Sequence, residues 1–149
     1  MATRLYGIRG ATGAENTRES IQQNVAELCR RLFVDNGIES ANLVSIQFTM
    51  TADLDALNPC YALRHGDVGV DVARCALFAA QEPLICGAPE RMVRVLITVY
   101  MEEDASPRHC YINGAEVLRP DLAAEHERKK TRNCVHHSAT HIDTNAPIA

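Results

Sequence analysis

The sequence contains no tryptophan, and aromatic residues make up only 5% of its 149 residues. A core built from this composition must be mainly aliphatic, and the 46% hydrophobic fraction is sufficient for one folded domain. No apolar run approaches the roughly 20 residues that a membrane-spanning helix needs. The first residues, MATRLYGIRGAT, lack the apolar segment of a secretory signal. We therefore expect no membrane partner and a cytoplasmic location.

An excess of positive charge is also lacking, since the net charge is -4 and the isoelectric point is near 5.8. This balance gives no general electrostatic attraction for nucleic acid or for an anionic membrane. We therefore expect no nucleic-acid partner. An anion-binding site would have to be local, built from a few arginines against the overall charge.

No two cysteines form a C-x-x-C pair, although the chain has six, at Cys29, Cys60, Cys75, Cys86, Cys110 and Cys134. A disulfide framework is not expected in a chain of this size without an export signal. We interpret these residues as reduced thiols, mostly small residues of the core.

Hydrophobic periodicity predicts strands over 3–12, 43–51 and 92–100, and a buried strand over 71–82 that ends at Glu82. The clearest helix follows the first strand. Its N-terminus is predicted at Asn16, with Glu19 completing a capping box, and Asn36-Gly37 ends it. Its apolar stripe comprises Ile21, Val25, Leu28, Leu32 and Phe33.

A short helix carrying Arg64 is predicted after a proline break. In CYINGAEVLRPDL, an Asn-Gly turn followed by a short extended run predicts a last hairpin, stopped by Pro120. The pattern indicates an α/β (α+β) fold, a mixed β-sheet with helices on one side. One long helix cannot cover both faces of the sheet, so an oligomer is the natural way to cover the other. We expect one domain over 1–122 and a polar, flexible C-terminal tail over 123–149.

The segment MVRVLITVY places Arg94 within a strand whose opposite face is apolar. Taken singly, each arginine of the chain can be explained as a cap of a sheet edge or as the partner of a carboxylate. Glu82 alone could be the structural partner of Arg94, and such a pair adds little net stability. A larger set of charged and polar residues lies at two strand ends, within a third strand and beside the last hairpin, and its combination favours a site for a small dianion: Arg9, Glu82, Arg94, Tyr111 and Arg119.

Four segments, GIRGAT, AQE, RVLITV and YINGAEVLRPDL, occur in the order and spacing of one known family. Together they resemble the monofunctional, AroH-type chorismate mutases, over about residues 4–122. The resemblance implies a homotrimer of a pseudo α/β barrel with active sites between subunits. It also implies an isomerase of aromatic amino acid biosynthesis in the shikimate pathway. Such an enzyme converts chorismate to prephenate by a pericyclic (Claisen) rearrangement, without metal or organic cofactor.

The resemblance also implies a role for each of the candidate residues. Arg94 would lie beside the ether oxygen, where negative charge develops, and Glu82 would bind the substrate hydroxyl. Arg9 would hold a carboxylate, assisted by Tyr111. Two further substrate-binding residues would be Arg64, reaching in from the neighbouring subunit, and Arg119, at the mouth of the cleft.

Three positions depart from the family pattern. Asn58 replaces an aromatic residue that usually precedes the proline of the short helix, Tyr61 replaces a frequent lysine, and Ala79 replaces a frequent cysteine. Two other functions stay open. The departures at Asn58 and Tyr61 leave room for a non-catalytic trimer that binds a small molecule. Small trimeric proteins of the imine deaminase type have a similar architecture and an arginine that holds a carboxylate, so an imine deaminase-like enzyme is the other.

The tail carries further candidate ligands at Cys134, His126, His136, His137 and His141. They could bind a transition metal, but no spacing fixes a coordination geometry, and we expect a solvated tail without metal. Because Arg119 leads directly into it, the tail could order over the cleft when substrate binds.

Overall fold

The computed structural model describes residues 2–122, and the tail with its predicted histidine and cysteine ligands lies outside the described residues. Five strands form one sheet: β1 (Thr3–Gly13), β2 (Leu43–Met50), β3 (Ala76–Gln81), β4 (Met92–Glu102) and β5 (Cys110–Ile112). Two α-helices accompany them, α1 (Arg18–Asp35) and α2 (Pro59–His65). The strand order is β3-β2-β4-β1-β5, with β4 antiparallel to both neighbours and with parallel pairs at both ends. The predicted mixed sheet is confirmed.

The central strand β4 shows why the sheet has two different faces. Val93, Val95, Ile97 and Val99 are buried, whereas Arg94 and Leu96 between them are exposed. Side chains alternate along a strand, so the apolar set lies on one face and the cation on the other. The register of β4 is fixed by this burial, because a shift of one residue would bury Arg94.

Both helices pack on the buried face of the sheet, as predicted. The apolar stripe of α1 lies against strand residues such as Ile8, Ile46 and Phe48 in a single aliphatic core, and α2 adds Ala62 and Leu63 to it. The opposite face, which we call the open face, has no α-helix over it within residues 2–122, although the 3-10 helix at Ala115–Leu118 packs there against Ala11 and Met92. Large apolar side chains are exposed on it, namely Leu5, Phe78, Leu96 and Tyr100.

The predicted helix start is wrong by one residue. Thr17 is the N-cap, and its hydroxyl accepts a hydrogen bond from the Ser20 amide. The side chain of Asn16 instead accepts from the amides of Asp55 and Ala56, which ties the chain before α1 to the loop that precedes α2. The predicted end at Asn36-Gly37 is confirmed, with Gly37 at φ +59.

Two predicted strands differ from the structure. The segment predicted as a buried strand forms only β3, and β3 is largely exposed because it lies at the edge of the sheet and its open-face side chains are uncovered. Within residues 2–122, β5 forms no hairpin and instead pairs in parallel with β1. Asn113 and Gly114 both have positive φ and turn the chain into a 3-10 helix at Ala115–Leu118, where an extended run was expected.

The cysteine interpretation agrees with the structure where it can be compared. Cys29, Cys60 and Cys110 are buried free thiols, whereas Cys75 is half-buried and Cys86 is exposed. Burial raises the pKa of the Cys110 thiol to about 11 and also raises the pKa of Cys29. Across residues 2–122, no helix is long and apolar enough to cross a membrane.

Candidate functional site

Pairing register brings the candidate residues together on the open face. Arg94 of β4 pairs with Thr49 of β2 on one side and with Ala11 of β1 on the other, and Ala11 pairs in turn with Tyr111 of β5. The four residues form a row across four strands. Ala11 itself is fully buried and packs in a small apolar cluster with Met92 and Ala115. Arg94 and Tyr111, on either side of it in the row, line a cavity of about 360 Å³, which we call the arginine hollow, with a lining that includes Arg9, Gln47, Thr49, Arg94, Tyr111 and Arg119.

The cation at the centre of the hollow is held from one side. Arg94 Nε lies 3.4 Å from Glu82 Oε1, and the Glu82 amide donates to the Met50 carbonyl directly after β3 ends. The Glu82 side chain is 17% exposed and that of Arg94 is 51% exposed. The Thr49 hydroxyl also donates to Glu82 Oε1. The guanidinium is therefore paired with Glu82 through Nε, and its terminal nitrogens make no hydrogen bond within residues 2–122.

Arg9 lies one step along the sheet from Arg94. It pairs with Leu96 on β4, so its side chain is a diagonal neighbour of Arg94 on the same face. Its backbone amide donates to His109 Nδ1 at 2.9 Å, which fixes this part of β1 to the segment before β5. The next residue must be glycine, because a Cβ at Gly10 would lie 2.9 Å from both the Cys110 carbonyl oxygen and Leu32.

Arg119 closes one side of the hollow and already has a carboxylate partner. Its Nη2 and Nε lie 2.8 and 3.1 Å from the two oxygens of Asp121. The hydrogen bonds from Arg119 lower the pKa of Asp121 to about 2, and the same interaction raises the pKa of Arg119. The pair is exposed to solvent, so an incoming anion can compete with Asp121 for the guanidinium.

Arg64 does not join the other predicted residues in the single chain. It is exposed in the last turn of α2 and does not line the hollow. The structure thus brings together Arg9, Glu82, Arg94, Tyr111 and Arg119, and leaves Arg64 apart.

The three departures have local structural explanations. Asn58 is the N-cap of α2, and its Oδ1 accepts from the Cys60 amide at 2.8 Å. The ring of Tyr61 stacks on that of His65, with 3.8 Å between centroids. Ala79 packs against the core on the helix-covered side of β3. Each residue therefore stabilises α2 or the sheet within its own chain.

The sequence interpretation missed two lining residues, Gln47 and Thr49. Strand alternation had placed both on the face opposite Ile46 and Phe48, but it does not specify which strand lies beside β2. Only the register, with Thr49 opposite Arg94 and Gln47 opposite Leu96, shows that they share the hollow. No group of three or more metal-ligating side chains occurs among residues 2–122.

The chemistry available in the hollow is anion binding and charge stabilisation. Three guanidiniums and a phenol line one hollow, and one carboxylate reaches it from its edge. Arginine stays charged at every physiological pH and can hold carboxylates through paired hydrogen bonds. A molecule with two carboxylates fits this arrangement of charge.

Comparison with known proteins agrees with this arrangement. The sequence profile of the family described as chorismate mutase type I matches residues 5–122. The chain is 37% identical over 121 residues to the chorismate mutase AroH of Thermus thermophilus, covering 79% of this chain and 96% of that protein. It is 33% identical over 123 residues to the chorismate mutase AroH of Bacillus subtilis, covering 80% and 93%.

A solved structure shows the same similarity in three dimensions. The chorismate mutase from Clostridium thermocellum superposes with a TM-score of 0.67 at 34% sequence identity. The superposition covers 75% of this chain and 98% of that one. Because the family profile and these relatives extend over most of the described residues, the chain belongs to the chorismate mutase type I family.

Proposed function

We propose that this chain, as a chorismate mutase, rearranges chorismate to prephenate in the arginine hollow. The observation that carries the proposal is the position of Arg94. It projects from the rigid central strand into the hollow, anchored at Nε by Glu82 and with Arg9 and Tyr111 on the same face. In the rearrangement the ether C–O bond breaks while a new C–C bond forms within the same molecule. No atom is exchanged with the protein, so the protein need only position the substrate and stabilise charge.

Positioning depends on the two carboxylates of chorismate. Arg9 holds one of them with the help of Tyr111, and Arg119 exchanges Asp121 for the other at the mouth. Glu82 accepts a hydrogen bond from the ring hydroxyl. These contacts select the compact, chair-like conformer in which the two carbon atoms that bond lie close together. Holding reacting groups in this way lowers the entropic part of the barrier.

Charge stabilisation depends on Arg94. As the C–O bond breaks, electron density moves onto the ether oxygen, and the terminal N–H groups of Arg94 donate to it. The interaction is stronger in the transition state than with the bound substrate, so it raises kcat. Covering the hollow with substrate removes water from the half-exposed guanidinium and strengthens the interaction further.

The assembly we propose is a homotrimer with sites between subunits. Support comes from the open face, where Phe78 is 63% exposed and Leu5, Leu96 and Tyr100 are also exposed. An apolar face of this kind is typical of an interface. Arg64, isolated in the single chain, then reaches the hollow of the adjacent copy. The molar mass in solution, measured by light scattering, tests this: three times 16.4 kDa is expected, and a monomeric mass contradicts it.

We also propose that the enzyme works in the cytoplasm. Support comes from the five cysteines of residues 2–122, which are all free thiols, as is usual in a reducing compartment.

The function is tested by incubating the purified protein with chorismate and following its ultraviolet absorbance. Conversion to prephenate, identified by its acid-catalysed conversion to phenylpyruvate, is the expected result. Tight binding without turnover would instead support a non-catalytic binding protein. Hydrolysis of an imino acid, with chorismate unchanged, would support an imine deaminase-like enzyme.

A further inference from the structure

Thr49 lines the hollow, but the reaction described above gives it no role. It lies on β2 directly opposite Arg94, on the open face, and its side chain is half-buried. Its hydroxyl donates to Glu82 Oε1, the same oxygen that lies 3.4 Å from Arg94 Nε. Thr49, Glu82 and Arg94 therefore form one connected group that spans strands β2 and β4 and the end of β3.

This group determines which atoms remain available for substrate. Because Thr49 and Arg94 Nε both approach Oε1, the carboxylate presents Oε2 away from them, and Oε2 makes no hydrogen bond within residues 2–122. The terminal nitrogens of Arg94 likewise make none in this part of the chain. Within residues 2–122, one acceptor of Glu82 and the two terminal donor groups of Arg94 are thus left without a hydrogen-bond partner.

A second arrangement is accessible to the same two charged groups. Arginine and carboxylate groups commonly pair through two parallel hydrogen bonds, which here would join both Glu82 oxygens to the terminal nitrogens of Arg94. Such a pair would occupy the donors that an oxygen of the substrate needs. The bond from Thr49 fixes the Glu82 carboxylate in the orientation that prevents it.

We propose that Thr49 is a positioning residue that acts through Glu82 to keep the terminal N–H groups of Arg94 free for the breaking C–O bond. The inference rests on the proposed function, since it assigns a role within that reaction. Loss of the Thr49 hydroxyl should therefore lower kcat more than it changes KM, because Arg9, Arg119 and Tyr111 bind the carboxylates without contacting Thr49.

The test uses Thr49→Val, which keeps the shape and removes the hydroxyl, and Thr49→Ser, which keeps the hydroxyl. The matched control is Thr3→Val, at the exposed start of β1 and outside the hollow. We expect Thr49→Val to lower kcat about tenfold with KM changed by less than about twofold, as for loss of one hydrogen bond to a charged group. Thr49→Ser should retain most of kcat, and Thr3→Val should match the unaltered protein.

A double-mutant cycle separates positioning from a general effect on the fold. In a Glu82→Ala background, Thr49→Val should change kcat by less than about twofold, because the group through which it acts is absent. Equal losses for Thr49→Val and Thr49→Ser, or a full loss in the Glu82→Ala background, would overturn the inference. If the unaltered protein turns over chorismate and Thr49→Val equals it, only the role of Thr49 fails. If the unaltered protein has no turnover, both that role and the proposed function fail.

Discussion

Replacing Arg94 by alanine should remove most of the catalytic rate while leaving the fold intact. The structural cost is small, because the side chain is 51% exposed and its one ion pair is with Glu82. Exposed ion pairs contribute about 0–1 kcal/mol, and Glu82 keeps its bond from Thr49. A loss of about 1 kcal/mol in the free energy of unfolding lowers the melting temperature by about 2–8 °C for domains of about 60–250 residues.

The kinetic cost is much larger. At an effective dielectric constant of about 20, two unit charges about 3 Å apart interact by about 5 kcal/mol. If roughly half an electron accumulates on the ether oxygen, about 2–3 kcal/mol of this is specific to the transition state, or about a hundredfold in kcat. This agrees with the effect of about 10²–10³ seen when one oxyanion donor is removed from other enzymes.

The assay is the initial rate of chorismate disappearance, measured together with a circular dichroism melt of the same sample. Replacement of Arg94 by citrulline, which has nearly the same shape without the charge, is the matched control for the lost volume. Both variants should be folded and slow. A folded Arg94→Ala protein with nearly unchanged kcat would refute the argument, as would an unfolded one whose remaining folded fraction keeps the full rate.

Four further predictions concern the Arg119–Asp121 pair, the cysteines and the tail. Asp121→Asn should lower KM for chorismate a few-fold, because the weak, solvent-exposed pair with Arg119 no longer competes with substrate, and a raised KM would contradict this. The pKa of Asp121 is lowered from 3.8 to about 2, so its pairing with Arg119 stabilises the fold only while the carboxyl is ionised. The difference in melting temperature between this variant and the unaltered protein should therefore be constant above about pH 4. It should shrink as the pH falls towards 2. Alkylation at pH 8 followed by peptide mapping should label Cys86 early and Cys29 only after unfolding. The reason is that Cys86 is exposed, whereas burial raises the pKa of Cys29. Early labelling of Cys29 would contradict this and show that the core opens readily. Truncation after Leu122 should raise KM more than it lowers kcat, and an unchanged KM would remove the idea that the tail covers the cleft.

Periodicity in the sequence was sufficient to predict the elements with a buried face. The stripe from Ile21 to Phe33 specifies α1, and the alternation around Arg94 specifies both β4 and the face on which the cation lies. The edge strand β3 was harder to predict. Its apolar composition indicates burial, yet Phe78 is exposed in the single chain. Composition indicates that a strand favours burial, but it does not show whether another element or subunit covers that strand.

The site could be predicted only as a set of residues. Arg9, Glu82, Arg94 and Tyr111 were identified through motifs, and the structure brings all four together. Thr49 was missed because its role arises from pairing between β2 and β4, which are separated along the chain by β3 and α2. Long-range register depends on packing of the whole sheet and has no local signature.

The most direct measurement of the central claim is a crystal structure of the protein with a bicyclic dicarboxylate that mimics the transition state. The account predicts that the bridging oxygen of this molecule lies within hydrogen-bond distance of the terminal nitrogens of Arg94, with one carboxylate on Arg9 and the hydroxyl on Glu82. A molecule bound outside the hollow, or one whose bridging oxygen faces away from Arg94, would contradict it.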